Sequence, residues 1–229
     1  MQTKNVWQSS VDLTNRITQV TSGLKLPRGA YWPTLVTVSL HQANERLNSI
    51  WLLLKEGDVN SATILTRSLF ELAVNLSYIA RDSARRLRQY LKHGRMPLTR
   101  EEAQQMQQEI DRGAQPAVKD IVPGQAWKRL KDMCCDLGSD WLKEYETFYR
   151  YASVPTHAGA FTLGEKFIRL LTGQLPTDRE RAAVLVTASE FHLRVAQIAA
   201  KTFPGHIAMK EVEKLREECS DLGWSLLNH

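Results

Sequence analysis

Apolar residues recur at three- and four-residue spacing through most of the chain and nowhere alternate over a useful length, a pattern that predicts helices and no strands. Residues 34–56, TLVTVSLHQANERLNSIWLLLKE, keep this spacing and stop at Gly57, which suits a left-handed cap. Asp58 or Asn60 can cap the next helix, predicted over 60–81, so the two read as a helical hairpin. A basic helical segment follows at 83–94, then a polar helix from Thr99, where Thr99-x-x-Glu102 fits a capping box, and a helix over 124–137 before Gly138. Ser139 can cap a helix running to about 152, and beyond the break at Pro155 another covers 157–172. Thr177-x-x-Glu180 opens a strongly patterned helix over 178–203, stopped by Phe203-Pro204-Gly205, and an amphipathic helix over 207–222 comes last. The expectation is a single all-α domain spanning 1–229, a bundle of about eight or nine helices.

Composition supports this. Glycine and proline number only 12 and 8 in 229 residues, so breakers are few. No apolar run approaches the length of a membrane span; SIWLLLKEG is cut off at Lys55 and Glu56. The amino terminus carries no apolar stretch behind a basic start, so a cytoplasmic protein without a membrane role is expected. Cys134, Cys135 and Cys219 lack the spacing of a zinc site and read as buried, reduced thiols. With no phosphate-binding or dinucleotide glycine motif, no GxSxG and no HExxH, ATP-driven and zinc-protease chemistry is set aside, and neither cofactor nor metal is expected. His41 and Glu45 share a helix face and could contribute to a metal site, but a surface hydrogen bond is the plainer reading.

The net charge of +5 is concentrated. Arg81, Arg85, Arg86, Arg88, Lys92, Arg95 and Arg100 stand against Asp82 alone in residues 81–100, with Tyr90 and His93 interleaved. Such a patch can hold RNA through its phosphates. It can equally be a solvated helix with Ala84, Leu87 and Leu91 facing the core.

The helix over 60–81 is apolar round most of its circumference, yet its polar residues gather. At about 100° per residue, with Arg67 at zero, Tyr78 falls near 20°, Glu71 near 40°, Asn75 near 80° and Ser68 near 100°. Buried charges are costly unless paired, so this stripe must meet partners or a cleft. Either Arg67 and Glu71 satisfy each other, or the stripe lines a site and orients something on RYASVPTH.

The stretch FYRYASVPTHAGAF, 148–161, sets Arg150 and His157 on either side of Pro155. Histidine exchanges a proton near neutral pH and arginine holds phosphate with a planar fork of donors, so the pair suffices in principle for metal-independent RNA cleavage. The plain alternative is that Ser153 or Thr156 caps a helix, His157 lies in its first turn and Arg150 is a surface charge.

RSLFELAVNLSYIA, followed some eighty residues later by FYRYASVPTHAG, resembles a bacterial family of uncharacterised helical proteins whose pattern is an Arg-Ser-x-x-Glu helix and a later Tyr/Ser/His stretch. More loosely, it resembles the HEPN superfamily of small all-α proteins, over residues 34–172. Many HEPN proteins are ribonucleases of toxin, antiphage and RNA-processing systems carrying an Arg followed by a His. The resemblance implies a HEPN-like core with the helices of 176–229 added to it, and a catalytic set of Arg150, His157, Glu71 and Arg67. Beside it, the residues themselves offer Asn75, Tyr78, Tyr151 and Ser153 as supporting positions, and the basic segment offers Arg85, Arg86, Arg88, Lys92 and Arg95 to hold RNA. A homodimer and an antitoxin or defence-system partner are implied as well. Two departures stand out: the residue after the Arg is usually Asn, Asp or His and here is Tyr151, and Pro155 lies within the pair. A second reading is a non-catalytic helical module that binds a protein partner or nucleotide through Arg67, Glu71 and Asn75. A third is a metal-dependent enzyme using His41, Glu45, Glu71 and His157.

Overall fold

In the computed structural model, residues 5–25, 27, 31–93, 127–152 and 171–228 are described. Among them the chain is helical, with no strand beyond an isolated bridge between Pro204 and Ile207. We number the helices α1 (Val6–Thr21), α2 (Tyr31–Lys55), α3 (Val59–Ala80), α4 (Ser83–His93), α5 (Leu130–Leu137), α6, α7 (Asp178–Thr202) and α8 (Met209–Asn228). Helix α6 has three parts: an α-helical Ser139–Glu144, a π-helical turn Tyr145–Tyr149 and a final turn Arg150–Ala152. The helix expected from Thr99 and almost all of that expected over 157–172 lie outside the described residues.

The predicted punctuation is largely observed. Gly57 adopts φ +80°, where a side chain would be strained, and the Asp58 carboxylate accepts from the backbone N–H of Ser61, starting α3. Thr177 and Glu180 form the reciprocal capping box of α7. Ser139, by contrast, does not cap α6. It is the first helical residue, and Gly138, at φ +118°, occupies the cap position without a side-chain hydrogen bond. Helix α5 begins at Leu130, later than predicted, because residues 127–129 are not helical. The last helix continues past 222 to Asn228, with Gly223 over Val186 of α7.

Helix α7 is the central pillar, packed against α1, α2, α3 and α8, although it lies beyond the 34–172 core that the resemblance marks out. One apolar cluster joins these helices and α5, through Leu47, Phe70, Leu185, Phe191 and Leu215 among others. Burying a side chain of this size stabilises by about 1.5–3 kcal/mol. The amphipathic helix α1 was not anticipated. Its inward face includes Ser10, Thr14 and Thr21, whose hydroxyls return to helix carbonyls or meet Ser189 and Asn44.

Candidate functional site

Phe70 of α3 is the anchor on which the site is built. Fully buried, it meets Trp141, Phe148, Tyr149 and Phe191 at ring-centroid distances of 6.0, 6.4, 5.6 and 5.0 Å. These contacts clamp α6 against α3 and α7. Aromatic pairs at such separations add about 0.5–1.5 kcal/mol beyond the area they bury. The next residue of α3, Glu71, and the preceding turn's Arg67 are thereby brought up to α6.

The polar stripe of α3 does meet partners, and the principal one is Tyr149. Arg67 Nη2 donates to the Tyr149 hydroxyl at 2.7 Å, and that hydroxyl donates to Glu71 Oε1 at 2.8 Å. The Arg67 guanidinium also lies 4.4 Å from the Tyr149 ring centroid and 3.4 Å from Glu71 Oε1, measured from Nε. Burial, together with the hydrogen bond to Glu71, pushes the Tyr149 phenol above its ordinary pKa, against the pull of Arg67. The phenol is therefore a protonated bridge at neutral pH. Farther along the stripe, Asn75 donates to the Glu71 carbonyl at 2.7 Å and accepts from the Trp127 indole at 2.7 Å. Tyr78 is buried under Arg86, whose guanidinium sits 3.8 Å from its ring centroid.

The structure divides the expected catalytic set. Arg67 and Glu71 converge on Tyr149, whereas Arg150 projects outward with its side chain 70% exposed, donating to Glu146 at 2.9 Å. Glu146 also pairs with Lys131 at 3.0 Å, and the Arg150 and Lys131 bonds hold its carboxyl below the usual range. His157 and Ser153 lie outside the described residues, as does the side chain of Tyr151. Tyr149, Trp127 and Glu146 carry the observed network and were not singled out from sequence. The one available signal for Tyr149 is its place immediately before Arg150.

The basic segment is also divided. Arg86 is engaged by Tyr78, stacking on its ring and donating to its carbonyl at 2.7 Å. Arg85 pairs with Asp82 at 2.8 Å, and Arg88 is exposed. The side chain of Lys92, and Arg95 altogether, lie outside the described residues. Leu87 and Leu91 face inward onto Ile79, as a solvated basic helix requires, but Ala84 is exposed.

Elsewhere, Cys134 and Cys219 are buried and Cys135 is exposed, so the expectation of three buried thiols fails at Cys135. His41 Nε2 is 3.0 Å from the Leu24 carbonyl, a simple hydrogen bond. Among the described residues no group of three or more metal-ligating side chains converges, and no helix is long and apolar enough to cross a membrane.

Compared with known proteins, residues 35–174 match a family of unknown function, DUF5677. Neither a curated protein nor a solved structure matches the chain. The matched segment contains α3, α6, the Arg67–Tyr149–Glu71 cluster and Arg150.

Proposed function

The chain belongs to the DUF5677 family, whose function is unknown, and we propose that it acts as a HEPN-like, metal-independent endoribonuclease of a bacterial defence or toxin system. The observation that carries this reading is the exposed guanidinium of Arg150, which directly follows a tyrosine held between Arg67 and Glu71. A π-helical turn ends at that tyrosine, and such turns occur frequently at functional sites.

In this mechanism the roles divide as the side chains do. The 2′-hydroxyl of RNA attacks the adjacent phosphorus, the bond to the 5′-oxygen of the next nucleotide breaks, and a 2′,3′-cyclic phosphate results. His157 transfers the proton, taking it from the 2′-hydroxyl or giving it to the departing oxygen. Arg150 exchanges Glu146 for the phosphate and stabilises the charge that develops there. Arg67 and Glu71 act at one remove, as positioning residues that fix Tyr149 and hence the start of the segment bearing His157. Arg85 and Arg88 add phosphate contacts. The protein works as a cytoplasmic homodimer, with two Arg–His pairs brought together, under the control of an antitoxin or defence-system partner.

The test is incubation of the full chain with a mixed RNA pool in EDTA, beside His157→Ala and Arg150→Ala. Cleavage by the parent that both variants lose supports the reading. Cleavage that survives His157→Ala removes that residue from the chemistry.

A second reading, a non-catalytic module binding a protein partner or nucleotide through Arg67, Glu71 and Asn75, stands behind the first because Arg67 and Glu71 are already engaged with Tyr149 and with each other. It predicts binding without cleavage.

A further inference from the structure

At the other end of α3 a cleft of about 900 Å³ opens between the α3 carboxyl terminus, the α5–α6 junction, α7 and α8, a size suited to a small-molecule ligand. Its lining brings together cations from three helices and their caps: Arg81 after α3, Arg194 and Lys201 on α7, and Arg216 on α8.

Two of these cations are already neutralised and form a rigid wall. Arg194, only 8% exposed, pairs with Glu144, donates to Glu190 at 2.9 Å and stacks 4.2 Å from the Trp141 ring centroid. Arg216 meets Glu190 at 2.8 Å and Gln197 at 3.4 Å. The other two form no direct ion pair among the described residues. Arg81 donates to the backbone carbonyls of Asp136 and Leu137, with the Asp136 carboxylate, itself paired to Lys128, in electrostatic reach, and exposed Lys201 has no acidic partner among the described residues. Trp32 and Trp141 supply flat apolar surface in the same lining, which contains one carboxylate, Asp140.

We propose that this cleft binds a small organic phosphate, its anionic group held by Arg81 and Lys201 and its planar body set against Trp32 and Trp141. A guanidinium and an ammonium not tied up in ion pairs give charge-assisted donors to a phosphate, and aromatic walls favour a flat attached group over a bare ion. The prearranged Glu144–Arg194–Glu190–Arg216 wall fixes the pocket without drawing the ligand's charge to itself. This site is separate from Arg150 and does not depend on RNA cleavage.

Pyridoxal 5′-phosphate is a suitable probe, since it is flat and phosphorylated and its aldehyde condenses with a neighbouring lysine amine, releasing water. Borohydride then reduces the imine to a stable secondary amine that peptide mapping locates. The expected result is tagging of Lys201 ahead of other exposed lysines, at concentrations where pyridoxal, lacking the phosphate, does not tag it. Arg81→Ala should abolish this preference. Because Arg81 also holds two carbonyls, calorimetric binding of the probe to Lys201→Gln, a change at an exposed side chain, provides an independent reading; affinity should fall about tenfold. Asp140→Asn should tighten binding. Tagging of Lys201 at the same rate as other lysines, or equally by pyridoxal, would overturn the proposal.

Discussion

Arg67 Nη2 and the Tyr149 hydroxyl meet at 2.7 Å across 82 positions of sequence, and this contact makes the polar stripe of α3 and the π-helical turn of α6 one unit. Tyr149→Phe removes the bridge while leaving Phe70 its aromatic neighbour and Arg67 its Glu71. Urea denaturation should show a loss of about 1–2 kcal/mol, the scale of a partly buried hydrogen-bonded network. Phe70→Ala, which empties the anchor itself, should cost about 3–5 kcal/mol. Under the ribonuclease reading Tyr149→Phe also lowers kcat, while its RNA affinity stays near that of the parent.

The stripe was legible because a helix repeats every 3.6 residues, so Arg67, Glu71, Asn75 and Tyr78 share a face whatever they touch. Their partners were not. A π turn takes up one residue more than an α turn, and that residue turns later side chains about 100° round the axis, which no periodicity reveals. Tyr149 faces α3, and Arg150, the next residue and so about 100° further round, faces solvent. Helix α1 was obscured for another reason: its inward face carries Ser10, Thr14 and Thr21, so the apolar pattern is diluted by hydroxyls that hydrogen-bond internally. The density of charge in 81–100 was visible, but the engagement of Arg86 by Tyr78 depends on a contact made in three dimensions.

His192 should make the fold acid-sensitive. The fully buried ring lies with Nε2 2.8 Å from Asn44 Oδ1, an acceptor, so Nε2 carries the proton and Nδ1 has no partner among the described residues. Burial lowers its pKa to about 3 from 6.5. The unfolded chain therefore takes up a proton near pH 6.5 that the folded chain refuses, and stability falls from that pH down to about 3. This group alone should remove about 2 kcal/mol between pH 7 and pH 5. Denaturation curves at the two pH values should show that loss in the parent and a smaller one in His192→Gln.

The capping box of α7 is reciprocal, Thr177 and Glu180 each accepting from the other's backbone N–H. Thr177→Ala deletes the side chain that accepts from the Glu180 N–H at 3.1 Å. A loss of about 1 kcal/mol is expected, with the fold retained, by thermal or urea denaturation.

The thiols should separate by reactivity. Burial raises both Cys134 and Cys219 to about 12, whereas Cys135 is exposed. A disulfide reagent near neutral pH should titrate one thiol rapidly, and two more only after unfolding. Cys135→Ser should abolish the fast phase.

The most direct measurement of the central claim is the chemistry of the ends left on RNA after incubation with the parent protein in EDTA. Attack by the 2′-hydroxyl, with His157 moving the proton and Arg150 holding the phosphate, predicts 2′,3′-cyclic phosphate or 3′-phosphate ends. Intact RNA, or fragments carrying 5′-phosphate and 3′-hydroxyl ends, would contradict it.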